Sequence, residues 1–552
     1  MSSSKCTPAS EDNKVESFVF FKDWDLNRRE DALRELYNHN IRYIIVSRGF
    51  TLLDVHESDE KASEATEFIE LAYKKYGIKC VVYSWRGRKP KLFIGEETMK
   101  EHAHIAVSAL KKLNGVEGLY AIYLDDEPYN TWEFSIDRVR DEYNDLFEKE
   151  TGHRLPEKGR VKRQWDYETA VTFCKWVGRK YVEYLKTIIS EYKKVYPHIK
   201  SIVNFHIPSI FPTAENPVDV YGIIETVDIV MHDIYPGWHQ YPRALDHIVA
   251  FETKFLRCLT DKPLWTILQG HKIMLGYAPT LNQIEQWALD AVECGSDFVG
   301  WYACEHDFMI GMWVKLKTEY TRYGSPERWR KMLKASKMIV NMKRKTRTTD
   351  IAIFVSYDSL LSYGYLPLMY VFITLYRDAG VEIDFVTEKF VEENPDVLGR
   401  YRCIFLGYTP IIRRCLLPIL EEYVKKGGLL VACCNDLRFD EKLKSLNEWK
   451  EKLFGVIRED VFWKEKLITI TERVPELRGV KLKGFWERRA ISKREDFTDV
   501  LAVWSSGEPA IISRKVGSGR TVYIGTRPYL ANCMRSEREW VKLIAWLIIT
   551  SE

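Results

Sequence analysis

Glutamine is nearly missing from this chain of 552 residues: only Gln164, Gln240, Gln269, Gln283 and Gln286 occur. Few thermolabile amides beside abundant Lys, Arg and Glu are the composition expected of a thermophile protein. No apolar run reaches the roughly 20 residues that span a bilayer, which argues against a membrane-spanning helix. The opening residues, Met1 to Ser10, lack an apolar segment. No secretory signal is therefore expected, and residues 1–15 read as a disordered tail. The 11 cysteines form no Cys-x-x-Cys pair and no zinc spacing. Cys433-Cys434 lie in an apolar run and read as core. A reducing, cytoplasmic location is the expectation. Excess charge of one sign is also absent, since 82 basic and 79 acidic residues leave a net charge of +3. Nucleic-acid binders concentrate positive charge, and the basic run Lys158 to Arg163 reads as a solvated loop.

What the chain does contain is alternation. Eight short apolar runs fill the first 310 residues or so: Ser17–Phe21, Tyr43–Ser47, Lys79–Ser84, Gly118–Leu124, Ser201–Phe205, Asp228–His232, Leu264–Leu268 and Asp297–Tyr302. Continuous Val/Ile/Tyr-rich runs suit parallel strands buried on both faces. Helical spacing separates them, over about Arg28–Asn38, Glu60–Tyr76, Glu101–Leu113, Asp166–Tyr196 and Asn282–Cys294. Strand and helix alternating eight times predict a (β/α)8 TIM barrel over residues 16–345. An open doubly wound sheet would bring a Gly-rich first turn, and Asp23-Trp24-Asp25 is not one. Beyond the basic stretch Lys343 to Arg347 the pattern restarts, with strands at Ile351–Val355, Glu382–Val386, Cys403–Gly407, Leu429–Cys433 and Thr521–Gly525 and helices near Pro367–Ala379 and Leu416–Lys425. This predicts a flavodoxin-like α/β domain over 348–552 with a β-rich insertion at about 454–516. Gly427-Gly428 and Gly517-Ser518-Gly519 read as turns, since neither matches a phosphate-binding loop.

A TIM barrel builds its active site at the C-terminal ends of its strands. The fourth run ends in Leu124-Asp125-Asp126-Glu127-Pro128. Three adjacent acids exceed what a helix cap needs, so Glu127 is the first candidate for acid–base chemistry. Pro128 is expected to hold Glu127 in extended geometry. Strand alternation sends Asp126 and Glu127 to different faces and puts Asp125 on the side of Glu127. The connection that follows is long, about 70 residues, and reads as a wall or lid over the site. Aromatic and polar residues end other strands: Asp23 and Trp24, Arg48, Trp85 and Arg86, His206, then Asp233, Tyr235 and Trp238, then Gln269 and His271, then Trp301, Tyr302 and Glu305. Rings and polar groups in this mixture suit a carbohydrate cleft.

At these positions the chain resembles the clan of TIM-barrel glycoside hydrolases whose acid/base Glu ends strand four. The matching stretches are Tyr123 to Pro128, Phe147 to Pro156, Val227 to Pro236 and Pro263 to Gln269. Ile351 to Asp358, Tyr423 to Leu430 and Val516 to Gly525 look like the glutamine-amidotransferase-like trimerisation domain of family 42 β-galactosidases. The resemblance implies hydrolysis of a β-glycosidic bond with Glu127 as general acid/base, no cofactor, and a homo-oligomer, trimer or dimer. It has two departures. The clan usually places Asn before the strand-four Glu and a nucleophilic Glu at the end of strand seven, whereas this chain has Asp126 and Gln269. An amide cannot form a glycosyl ester. An Asp-Glu pair at strand four also resembles N-acetylhexosaminidases, in which the substrate's own acetamide oxygen attacks the anomeric carbon. That route would use Asp126 to hold the acetamide N–H, Glu127 as acid, and a tyrosine such as Tyr235 or Tyr302 on the acetamide oxygen. Glu305 or Asp233 as the nucleophile of a retaining enzyme is the alternative. A non-catalytic sugar-binding or assembly protein is another. A metal-dependent hydrolase would need His206, His232, His271 and His306 to converge, and the chain has no histidine pair on its first strand.

Overall fold

The computed structural model describes residues 14–22, 29–46, 49–84, 93–128, 136–156, 166–206, 210–211, 217–238, 243–273, 277–304, 313–316, 319–322, 325–344, 349–462, 467–485, 487–493 and 498–550. The chain divides into two compact units, Met1–Thr346 and Arg347–Glu552.

In the first unit eight strands close into a barrel: β1 (Glu16–Phe21), β2 (Ile41–Val46), β3 (Lys79–Tyr83), β4 (Leu119–Asp126), β5 (Lys200–Phe205), β6 (Ile229–Ile234), β7 (Leu264–Gln269) and β8 (Phe298–Cys304). All neighbours are parallel, and β8 returns to β1. Val15, placed by the sequence reading at the end of the tail, is buried and donates its N–H to Met342 O at 3.3 Å. The connecting helices start where the side chains can cap them. Asp166 accepts from Thr169 N at 2.8 Å to open the helix Tyr167–Lys193, and Thr51 and Thr280 form reciprocal capping boxes with Asp54 and Gln283. A hairpin of β9 (Trp313–Leu316) and β10 (Glu319–Arg322) follows the barrel.

The barrel interior is packed, not hollow. Its N-terminal end is plugged by Phe18, Tyr43, Tyr120, Trp265 and Phe298, with Trp265 and Phe298 stacked at 4.5 Å. Gly300 leaves the space that the ring of Phe18 fills, since a Cβ there would stand 2.6 Å from it. Above this floor lie Phe20, Tyr83 and Tyr123, the last two stacked at 4.2 Å. The polar layer at the C-terminal mouth rests on these rings.

The second unit is a nine-stranded mixed sheet. Its strands are β11 (Ile351–Val355), β12 (Asp384–Thr387), β13 (Cys403–Leu406), β14 (Leu429–Cys433), β16 (Leu467–Ile470), β17 (Lys481–Lys483), β19 (Thr498–Trp504), β20 (Pro509–Val516) and β21 (Gly519–Ile524), in the order β12-β11-β13-β14-β21-β20-β19-β16-β17. The first five positions are parallel, as a flavodoxin-like core requires. The β-rich stretch is less of an insertion than the sequence implies. β16, β17, β19 and β20 extend the main sheet antiparallel, and β15 (Val456–Phe462) pairs separately with β18 (Arg488–Lys493). Among the described residues no single helix is long and apolar enough to cross a membrane.

Candidate active site

The end of β4 departs from simple alternation. Its register against β5 slips between Tyr123 and Asp125, so that Leu124 is an extra residue: Tyr123 lies opposite Ile202, but Asp125 lies opposite Val203 and Asp126 opposite Asn204. A bulge of one residue exchanges the two faces of a strand. Asp126 therefore follows Tyr123 into the barrel, and Asp125 turns outward. Two expectations are corrected. Asp125 does not share the side of Glu127 and is not presented to a ligand; it is 5% exposed and accepts from Tyr181 Oη on the helix behind the barrel. Glu127 is not extended before Pro128 but has φ +50°, in the left-handed region. The bulge delivers the chain to that corner, and Glu127 N donates to Asn204 O at 2.9 Å. Such a backbone costs a non-glycine residue about 1–2 kcal/mol, the kind of strain that collects at functional sites.

Asp126 is clamped. Oδ1 accepts from Tyr123 Oη at 2.5 Å and Asn204 Nδ2 at 3.0 Å, and Oδ2 accepts from Tyr83 Oη at 3.1 Å. Three neutral donors fix its plane and leave an acceptor position on Oδ2, since a carboxylate has about four. Glu127 is hydrogen-bonded to Asp233, the inward residue near the end of β6, and Tyr235 donates to Asp233. Burial, then the charge of Glu127, pushes the Asp233 carboxyl well above the usual carboxylate range. The pair thus retains a proton where isolated carboxyls have lost theirs. The same surroundings raise the Tyr235 phenol well above its ordinary value, through burial first and then Asp233, so it is a donor throughout the useful pH range.

The opposite side of the mouth is cationic and aromatic. Lys22, just after β1 and 6% exposed, hydrogen-bonds Tyr302 Oη and lies 3.8 Å from the ring centroid. Tyr302, Tyr235 and His271 pack edge to face, with centroids 5.1–6.0 Å apart. Burial and the nearby Lys22 charge lower the His271 imidazole to about 3, so it is neutral. Gln269 does end β7, but its amide is consumed by the scaffold: Oε1 accepts from Gly237 N and Nε2 donates to His271 O, both at 2.9 Å. Gly237 permits this approach, since a Cβ there would stand 3.1 Å from Gln269 Nε2. Gln269 is fully buried, which corrects its reading as a substrate contact.

Trp301 is a further correction. It faces out of the barrel, 1% exposed, and donates from Nε1 to Ser336 Oγ on the helix Pro326–Ile339 at 2.9 Å. Residues on β8 alternate, and its inward neighbour Tyr302 holds the mouth position. Trp238 is 43% exposed in the turn Pro236–Trp238 after β6, and His206 is half-buried just past β5. Asp23, Trp24, Arg48, Trp85, Arg86, Glu305 and His306 lie outside the described residues, as does part of the long fourth connection. The converging-histidine arrangement is not formed by His232, which points outward, bonds Thr266 Oγ1 at 2.8 Å and faces Glu252 at 3.7 Å. Among the described residues no cluster of ligand-type side chains could hold a metal. Sequence reading overlooked Tyr83, Tyr123, Asn204 and Lys22. The signal available was Asn204, a polar residue within the buried run Ser-Ile-Val-Asn-Phe.

No protein-family model matches the chain, and no curated protein does. Many solved structures share its fold. A catalytic mutant of the GH42 β-galactosidase Gan42B from G. stearothermophilus is 13% identical, with 97% of this chain and 88% of that chain covered at a TM-score of 0.72. The β-galactosidase of the Antarctic haloarchaeon Halorubrum lacusprofundi is 14% identical, with coverages of 97% and 90% and a TM-score of 0.75. The exo-β-1,4-mannosidase Op5Man5 from Opitutaceae bacterium strain TAV5 is 12% identical, with coverages of 97% and 96% and a TM-score of 0.65. The barrel followed by a second α/β domain is therefore the layout of these glycosidases, as the sequence resemblance implied.

Proposed function

We propose that the barrel is a glycoside hydrolase cleaving a β-glycosidic bond, with Glu127 as general acid/base and Asp126 as the anchor of an acetamido sugar. The observation that carries this reading is the mouth itself: a hydrogen-bonded Glu127–Asp233 pair beside a carboxylate held by three donors. A general acid must keep its proton near neutrality, and the retained proton of the pair meets that need. The glycosidases that share the fold support the class of reaction.

Gln269 at the end of β7 favours substrate assistance over a protein nucleophile, since an amide cannot form a glycosyl ester. Asp233, hydrogen-bonded to Glu127, is suited to setting the proton affinity of Glu127. Gln269 offers no carboxylate. In the proposed step the acetamide oxygen attacks the anomeric carbon and forms a cyclic oxazolinium. Asp126 accepts the acetamide N–H through its remaining acceptor position, Tyr302, whose oxygen accepts from Lys22, donates to the acetamide oxygen while Tyr235 keeps its proton on Asp233, and Glu127 gives its proton to the departing glycosidic oxygen. Water then adds with Glu127 as base and regenerates the proton. The second unit carries no part of this chemistry, and its proposed role is assembly of a homo-oligomer.

The test is a panel of nitrophenyl β-glycosides with and without an acetamido group. Hydrolysis of the acetamido members, a loss of about 100-fold or more in Glu127→Gln, and a smaller loss with a dinitrophenyl leaving group that needs no proton are expected. Cleavage that survives Glu127→Gln would remove Glu127 from the chemistry. Equal activity of Asp126→Asn on both substrate classes would remove the acetamide role, and loss of activity in Glu305→Gln alone would favour the retaining alternative.

A further inference from the structure

The second unit contains a cleft of about 350 Å³ that none of the proposed chemistry uses. It opens between the helix Asn447–Phe454, strand β15, the residue Arg489 of β18, and the turn that carries Arg438 and Ser445. Four cationic side chains, Arg438, Lys450, Arg458 and Arg489, line it against one carboxylate, Glu459. In a chain of nearly balanced charge that local imbalance calls for an explanation.

Two of the four are built into the protein. Lys450 is 3% exposed and Arg489 7% exposed. Both spend their charge on the same acceptor, Glu459 Oε2, each at 2.9 Å. Arg489 is braced from behind by Glu487, at 2.8 Å, which also takes Arg527 at 3.0 Å. The other two stand at the rim. Arg458 pairs with Asp460 on its own strand. Arg438 lies over the ring of Phe439, and among the described residues it has no carboxylate within ion-pair distance. The helix Asn447–Phe454 begins at the cleft, where Asn447 N donates to Ser445 Oγ at 3.4 Å and Trp449 N to Leu446 O at 3.0 Å. Ser445 and Asn447 add neutral donors.

Rigid buried cations, rim arginines and small hydroxyl and amide donors together make an oxyanion cradle. We propose that this cleft binds a small oxyanion, a phosphate- or carboxylate-bearing metabolite, with Arg438 and Arg458 closing on it from the rim. Its size suits such a molecule and not a polymer, and the charge of Arg438, which has no carboxylate within ion-pair distance among the described residues, is left to be neutralised. The proposal concerns the second unit alone and stands or falls independently of the barrel chemistry.

The full-length chain would be titrated calorimetrically with inorganic phosphate and, separately, with citrate, at fixed ionic strength against a sodium chloride blank. Saturable binding of one molecule per chain is expected. It should weaken about tenfold or more in the double variant Arg438→Ala/Arg458→Ala, the effect of losing charge-assisted hydrogen bonds. Both substitutions are at the rim, so an unchanged melting temperature would confirm an intact fold, and Lys111→Ala in the other unit should bind as wild type. Phosphate as the tighter probe assigns a phosphoryl ligand, and citrate as the tighter probe assigns a carboxylate ligand. Absence of saturation with both probes, or undiminished binding by the double variant, would overturn the proposal.

Discussion

Replacing Asp233 by Asn isolates the device on which the proposed chemistry turns. In the wild-type barrel the Asp233 carboxyl is raised by burial and by Glu127, so ionising the second member of the pair means placing two negative charges in contact. At about 4 Å and an effective dielectric near 20 that repulsion is about 4 kcal/mol, and solvent screening at the half-buried Glu127 reduces it. The substituted amide keeps the hydrogen-bonding shape without the charge, so Glu127 should lose its proton at lower pH. The assay is the pH dependence of kcat/KM on an activated glycoside, whose alkaline limb reports the acid in the free enzyme. That limb should move toward acid. The two macroscopic values belong to the pair, so the shift is the readable quantity, not either assignment. An unmoved limb, or one displaced toward alkali, would refute the coupling and with it the role given to Asp233.

Three further outcomes follow from the same geometry. Gln269→Glu would restore a carboxylate at the end of β7, but a carboxylate cannot donate to His271 O; a loss of about 1–3 kcal/mol in a denaturant titration, with no retaining activity gained, is expected. Asn204→Ala and Tyr181→Phe should separate the two faces of β4. The first frees the Asp126 clamp and lowers turnover of acetamido substrates, and the second strips the buried Asp125 of a donor and costs about 1–3 kcal/mol of stability with catalysis largely kept, comparable by kinetics and melting of each variant. In the second unit, burial and then the charge of Asp358 raise the Glu388 carboxyl to about 7. A raised acid favours the folded state below its unfolded value of about 4.3 and forfeits that contribution as pH climbs through about 7. Melting temperature followed from acid to neutral should therefore decline, and decline less in Glu388→Gln.

Much of the barrel could be read from sequence because buried parallel strands are written as uninterrupted apolar runs. β11 and β14 fall on the expected residues, and β7 is only one residue longer. Two expected helices, near Glu60–Tyr76 and Pro367–Ala379, end instead in π turns at Leu71–Lys75 and Ile373–Asp378, each closed by a left-handed glycine, Gly77 and Gly380, with Ile78 N donating to Ala72 O and Val381 N to Leu375 O. The site was legible at its corner, where Asp-Asp-Glu-Pro interrupts a strand pattern, and illegible where polar groups hide inside one. Tyr83 and Tyr123 score as strand core until their hydroxyls are seen to meet at Asp126. That Trp301 and Asp125 turn away from the mouth is not legible in the sequence for two reasons: proximity to a strand end says nothing about face, and the bulge that turns Asp125 outward leaves no mark in composition.

The slip at Leu124 makes the presentation of acid at the mouth a matter of counting. Three consecutive carboxyls follow it, and the backbone tally decides which one is offered inward and which becomes a bracket for a neighbouring helix. Were Leu124 to pair opposite Val203 in place of bulging, the two aspartates would exchange faces without altering any side chain's chemistry. A barrel with the same residues in regular pairing would offer the other aspartate inward, and alignments scored on residue identity alone would pair the wrong acids.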